Sequence, residues 1–246
     1  MRFYAELRDF LPDEDHSAAI IREFDVSGSL KDLIESCGVP HTEVDLIIVE
    51  GESVGFDYPV HDGDHISVYP VFESFDISPI IKVRGEPLRE TRFVADVHLG
   101  RLARYLRLLG FDTLHDKDWG DADLAEISSK ERRILLTRDV ELLKRSTVTH
   151  GYYLRSDDPR TQVVEVTRRF HLDDDLKPFT RCMICNGPVS PVDKADVAHR
   201  VPSRTRERVD DYARCGKCGR VYWQGAHRSG LERVINASRA RGGGLR

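Results

Sequence analysis

Two cysteine pairs constrain this chain more than any other feature. Cys182-Met183-Ile184-Cys185 is followed, after 29 intervening residues, by Cys215-Gly216-Lys217-Cys218. Two thiolates on each of two tight turns supply the soft, four-coordinate shell that zinc prefers. Four protein ligands leave no open position for water, so the spacing predicts a structural Zn²⁺ closing a small ribbon at this end of the chain. Any catalysis has to be sought upstream of it.

The 246 residues, 40% of them hydrophobic, allow two or three domains with real cores. No apolar run approaches the length of a transmembrane helix, and the first residues lack the apolar core of a signal peptide. Five cysteines, four of them at metal spacing, fit a reducing cytoplasm better than a disulfide framework. Cys37, the fifth, reads as a small residue near a helix end. The net charge of -5 is unevenly spread: residues 1–80 carry 4 Lys/Arg against 18 Asp/Glu, residues 81–181 carry 20 against 18, and residues 182–246 carry 13 against 6. An acidic front and a basic tail suggest separate modules. A basic module suits a phosphate-backbone partner, with ordinary surface charge as the alternative reading.

Residues 1–75 read as a small α+β domain. Strands are expected over Met1–Leu7, Ile20–Val26, Leu46–Val49 and Ile66–Val71. A short helix is expected between them, capped by Ser29 and stopped by Gly38. That order is the order of a β-grasp. Residues 76–91 read as a linker. Residues 92–171 alternate strand and helix: strands at Arg92–Asp96, Phe111–Leu114, Ile134–Thr137 and Tyr152–Leu154; helices from Leu99, over Asp121–Lys130, from Val140 and over Arg160–Phe170. In the first of these helices Leu99, Leu102, Ala103, Leu106 and Leu109 recur at helical spacing. Short apolar strands between amphipathic helices imply a parallel α/β sheet. Residues 172–235 form the cysteine module, and residues 236–246 a basic tail expected to be disordered.

In parallel sheets, functional groups gather beyond the carboxyl ends of strands. Asp96 and Asp139 stand at such ends, and Asp121 and Asp123 open a helix. Several carboxylates converging on one edge repel one another unless a cation joins them, so the pattern points to hard oxygen ligands for Mg²⁺ or Mn²⁺. Asp121, Asp123 and Asp139 can also be read simply as helix caps. Asp96 is harder to read that way, because a carboxylate directly after Phe-Val-Ala is costly unless paired or metal-bound. Arg101, Arg104 and Arg107 recur along the first helix as a basic face, for phosphates or simply for solvent. Arg138 can hold a phosphate or pair an acid. In the cysteine module Arg214, Lys217, Arg220, Tyr222 and Trp223 mix charge with aromatic rings, a combination that suits single-stranded nucleic acid. Trp223 could equally be core, and His227 reads as a surface residue. Gly51-Glu52-Ser53-Val54-Gly55 matches a nucleophile-elbow pattern literally, but no helix is expected after it.

Two stretches resemble known families. Asp62-Gly63-Asp64-His65-Ile66-Ser67-Val68-Tyr69-Pro70 resembles the end of the ubiquitin-like sulfur carriers. The chain runs on through Val71-Phe72-Glu73-Ser74 without a free Gly-Gly, so docking or regulation is expected here and sulfur carriage is not. The segment Phe93–Asp112, the run Ile134-Leu135-Leu136-Thr137-Arg138-Asp139 and both cysteine turns, with Arg220-Val221-Tyr222-Trp223, resemble the Mut7-C family, a PIN-like ribonuclease domain joined to a zinc ribbon, in some members behind a ubiquitin-like domain. The resemblance implies metal-dependent RNA cleavage. Asp96, Asp121 and Asp139 match the family's acids, and Asp123 is an additional candidate. Arg101, Arg104, Arg138, Arg220 and Trp223 are the candidate RNA-binding residues. The alternatives are a non-catalytic RNA-binding module, or an adaptor that meets a protein partner through the N-terminal domain.

Overall fold

The computed structural model describes residues 1–16, 19–21, 28–70, 82–83, 88, 90–223, 232–234 and 236. The strand expected over Ile20–Val26, the linker 76–91, His227 and the basic tail 236–246 lie wholly or largely outside the described residues. Two compact units are present: Met1–Glu90 with Asp121–Tyr153, and Thr91–Gly120 with Leu154–Arg246. No described helix is long and apolar enough to cross a membrane.

In the first unit, β1 (Arg2–Phe3), β2 (Leu46–Val49), β3 (Glu52–Val54) and β4 (Ile66–Tyr69) form a sheet in the order β1-β4-β2-β3. β1 runs parallel to β4, and β2 antiparallel to both β4 and β3. The helix α1 (Leu30–Ser36) supplies Leu30, Leu33 and Ile34 to a core shared with Phe3, Leu7, Ile47 and Val68. Its start obeys the expected chemistry: Ser29 Oγ accepts from the Asp32 N–H, and the Asp32 carboxylate accepts from the Ser29 N–H, a capping box. The strand expected over Met1–Leu7 is cut short. After Phe3 the chain turns through Ala5, at φ 47°, into a 3-10 helix over Ala5–Phe10, and Leu7 is buried from that turn. Apolar alternation over a few residues cannot separate a strand from a tight helical turn that buries the same side chains. Ser53 lies on β3 of a hairpin, with no strand-to-helix turn around it.

The same unit contains α3 (Asp121–Lys130), β7 (Ile134–Thr137), α4 (Val140–Leu143) and β8 (Gly151–Tyr153), with β7 and β8 parallel. The free side of β8 is met by the 3-10 turn His41–Glu43 of the N-terminal domain. The Tyr153 N–H donates to Glu43 Oε1 at 2.6 Å, and Glu43 is buried. His41 Nε2 donates to the Val148 carbonyl at 2.8 Å, while its Nδ1 lies 2.6 Å from Glu35 Oε1. An exposed strand edge is an aggregation hazard, and this contact covers one. Glu43→Ala removes a charged acceptor from a part-buried N–H. We expect it to lower the unfolding free energy by about 2–3 kcal/mol and to speed exchange of the Tyr153 amide; denaturant titration with hydrogen exchange checks both.

In the second unit, β5 (Phe93–Ala95) pairs in parallel with β6 (Thr113–Leu114). α2 (Gly100–Leu108) packs on α5 (Pro159–Arg169) and on β5. Leu102, Ala103 and Leu106 are fully buried, and Phe93 meets Phe111 and Phe170 edge-on at 6.1 and 5.8 Å. Asp158 caps α5, accepting from the Arg160 and Thr161 N–H groups, with Pro159 in the first helical position. Gly110 ends α2 at φ +103°, where a Cβ would stand 2.4 Å from the Lys177 carbonyl oxygen. The chain finishes in an antiparallel sheet of β9 (Val189–Val192), β10 (Tyr212–Cys215) and β11 (Val221–Trp223), with α6 (Lys194–Val197) and α7 (Ser203–Arg206) between β9 and β10. Among the described residues its own buried core is small: Val197, Val201 and Tyr212, with Val192, Val209 and Val221 packed against it.

Candidate functional site

The cysteine centre is the most completely built site. The sulfurs of Cys182, Cys185, Cys215 and Cys218 all lie within 4.8 Å of one another. Cys182 and Cys218 are 3.7 Å apart, and Cys185 and Cys215 are 3.4 Å apart. A tetrahedron of metal–sulfur bonds of ~2.3 Å has edges of roughly 3.8 Å, so the four thiols fit a metal ion such as zinc. Backbone N–H groups point at the sulfurs: Cys185 N–H at Cys182, and the Lys217 and Cys218 N–H groups at Cys215. Gly187 lets the first turn close, because a Cβ there would stand 3.0 Å from the Cys215 sulfur and 2.6 Å from the Lys217 Cβ.

The electrostatics of the thiols diverge. Burial opposes ionisation of Cys182, but the Tyr222 hydroxyl, donating at 3.0 Å, and the Cys185 and Ile184 N–H groups outweigh it and bring the thiol down to about 6. Burial first, and then the neighbouring thiols, push Cys185 up to about 12. One sulfur carries negative charge readily and its neighbour resists it. Tyr222, read from the sequence as a nucleic-acid-facing ring, instead turns its hydroxyl onto Cys182; burial, then the bond to that sulfur, raises its pKa. The mix of charged and aromatic residues gave no sign of this, because the partner lies 40 positions away.

The first cysteine turn is seated on the end of α2 and on β6. Asn186 Oδ1 accepts from the Thr113 N–H at 3.2 Å, and Asn186 Nδ2 donates to Asp112 Oδ1 at 2.7 Å. Arg181 reaches the Gly110 carbonyl at 3.2 Å and the Asp112 carboxylate at 3.4 Å. Arg107, expected on the basic face of α2, is buried and bonds to this turn instead. It sits one position after Leu106 and four after Ala103, on the flank of the apolar stripe. That position, rather than the recurrence of arginines, was the signal in the sequence.

Among the acids, Asp96 directly follows β5, is 8% exposed, and caps the 3-10 turn Val97–Leu99 by accepting from the Val97 N–H. His115 supports that turn: its Nε2 donates to the Val97 carbonyl at 3.1 Å, and its ring lies so close to Gly100 that a Cβ there would meet it at 3.0 Å. His115 carries no spacing signal in the sequence. Asp139 follows β7 by two residues and caps α4, its Oδ1 accepting from the Glu141 and Leu142 N–H groups at 2.8 and 3.2 Å. Asp121 and Asp123 occupy the exposed first turn of α3, and Asp121 faces Arg145 at 3.6 Å. Asp96 belongs to the second compact unit, and Asp121, Asp123 and Asp139 to the first. Arg101, Arg104, Arg138 and Arg220 are exposed, as is Trp223 at 39%.

Residues 91–235 match the model of the Mut7-C RNAse domain, and residues 1–76 match that of the Mut7-C ubiquitin domain. The chain belongs to the Mut7-C family. The two matches stand in the order the sequence motifs implied, and the RNAse-domain match takes in both strand-end acids and all four cysteines. No curated protein and no solved structure matches the chain. In Mut7-C terms, the ubiquitin domain contains the turn that covers β8, and the RNAse domain contains the cysteine centre.

Proposed function

We infer that this Mut7-C protein is a metal-dependent ribonuclease with a PIN-like core, a zinc ribbon over residues 172–235, and a ubiquitin-like domain over residues 1–75. The observation that carries the reading is the match of residues 91–235 to the Mut7-C RNAse domain. The acids support it. Asp96 and Asp139 follow parallel strands, and Asp121 opens a helix, so the RNAse domain offers hard carboxylate oxygens of the kind Mg²⁺ or Mn²⁺ takes. Asp96, Asp121 and Asp139 would hold such an ion, which when bound would activate a water and offset developing phosphate charge. The chain's own contribution is to orient those oxygens. The 3-10 turn held by His115 directs Asp96, and the Thr137 hydroxyl, accepting from the Asp139 N–H at 2.9 Å, steadies Asp139. Asp123 is an additional acid in the same reading.

Arg101 and Arg104 on α2, with Arg138, hold phosphates, while Arg220 and Trp223 of the ribbon bind backbone and stack on a base. The soft, four-thiol donor set supports zinc as the metal of the ribbon. The ubiquitin-like domain is the surface for a protein partner, with its His41–Glu43 turn already engaged on β8. The expected setting is the reducing cytoplasm.

The test is incubation of the full chain with a labelled pool of single-stranded and structured RNAs, with and without Mn²⁺. Fragments that depend on the ion support the reading. A folded, zinc-loaded chain that retains RNA without cutting it would leave an RNA-binding module. Arg101→Ala is expected to weaken retention of all sequences alike and to lower the salt dependence by about one phosphate contact, a change in log–log slope of ~0.7 for single strands. Filter binding over a salt series measures it.

A further inference from the structure

The three arginines of α2 divide sharply. Arg101 and Arg104 face solvent, whereas Arg107 is 5% exposed. Its Nε donates to the Thr113 carbonyl at 2.8 Å, and its Nη1 to the Met183 and Ile184 carbonyls at 3.2 and 2.9 Å. Met183 and Ile184 are the two residues between Cys182 and Cys185. A guanidinium cannot shed its proton in a protein, and a buried cation without partners costs several kcal/mol. Burial accordingly pulls Arg107 below its ordinary pKa, and the nearby Cys182 and Cys185 act in the opposite direction.

We propose that Arg107 is a positioning residue of the cysteine centre: it holds the Cys182–Cys185 turn in the shape that presents both sulfurs to the metal, and thereby makes that metal part of the folded core. The inference rests on reading the four cysteines as a zinc site. The chemistry suits arginine in particular. Four thiolates around one Zn²⁺ leave a dianion, which a buried cation beside the first turn offsets. The planar fork reaches carbonyls on β6 and on the turn at once, which the point charge of lysine does not. Asn186 and Arg181 flank the same seat on Asp112 and Thr113, so the turn rests on several bonds with Arg107 in the middle. The dependence runs both ways. When the turn loosens, its two carbonyls leave a buried charge, and α2 has to open to hydrate it.

Two measurements on the full chain decide the matter. In the first, zinc-loaded protein is mixed with excess chromogenic chelator and release is followed. Arg107→Met should release zinc ~10–100-fold faster than wild type, the range that follows loss of an outer-shell partner. Arg107→Lys should fall between, and Lys117→Met, an exposed residue, should match wild type. In the second, wild-type protein is stripped of zinc and its amide exchange compared with the loaded form. Exchange should rise in the last turn of α2 together with residues 182–187, and this arm decides even where Arg107→Met fails to fold. A folded Arg107→Met variant with wild-type release would overturn the proposal, as would stripping that frees the cysteine turns but leaves α2 protected. A wild-type chain that takes up no zinc sinks the zinc reading and this inference together; zinc uptake with an indifferent Arg107→Met variant sinks this inference alone.

Discussion

Cys215→Ser is expected to abolish tight zinc binding and to unfold the β9-β10-β11 sheet. Cys215 is 1% exposed, lies 3.4 Å from the Cys185 sulfur, and accepts N–H groups from Lys217 and Cys218. Serine offers a smaller, harder oxygen that does not ionise near neutral pH and cannot complete a thiolate tetrahedron. Among the described residues the sheet's buried apolar cluster is Val197, Val201 and Tyr212, with Val192, Val209 and Val221 packed partly buried against it, and modules with so small a core depend on a staple. Structural zinc contributes ~10–16 kcal/mol of apparent binding free energy to modules of this kind, far more than those three buried side chains. Metal analysis should therefore show zinc lost, and hydrogen exchange should show the Tyr212–Cys215 amides unprotected. Stoichiometric zinc with native protection in the serine variant would show that the centre does not work this way.

Asp96→Asn is expected to remove Mn²⁺-dependent RNA cleavage while sparing the fold. Asparagine keeps the size of the side chain and an oxygen that can accept from the Val97 N–H, and it is as good a cap as aspartate. It loses the negative charge and with it the strongest reason for a cation to sit at the end of β5. Disturbing a group one step removed from a metal already costs ~10–100-fold, so loss of a carboxylate proposed to hold the ion directly should cost at least about 100-fold. RNA retention without metal should hold or rise, since one charge repelling phosphates is gone. Paired cleavage and binding assays separate the two effects. An Asn variant that cleaves at the wild-type rate would remove Asp96 from the proposed site.

Short-range features were legible in the residues. The capping box at Ser29, the helix over Asp121–Lys130, the strands Leu46–Val49 and Ile134–Thr137, and the stop at Gly110 all appear where local chemistry puts them. Each depends on neighbours within about one turn of helix or a few positions of strand. The cysteine spacing belongs to the same class, because two C-x-x-C turns can close on one metal whatever joins them. β1 is shorter than its pattern implies for a related reason: Leu7 is buried as an alternating pattern demands, but from a 3-10 turn.

The chain alone therefore determined which residues are apolar by period, where helices begin and stop, and which sulfurs can share a metal. Tertiary structure decided what stands opposite them. Arg107 looked like one more charge on a basic helix until Met183 and Ile184, 76 and 77 positions away, proved to hold it. Tyr222 turned to Cys182, 40 positions away, and Glu43 to Tyr153, 110 positions away. Periodicity reports that a face is buried. It carries no information on which donor or acceptor will meet a polar group there, because a buried polar group takes its partner from whatever backbone the fold brings across.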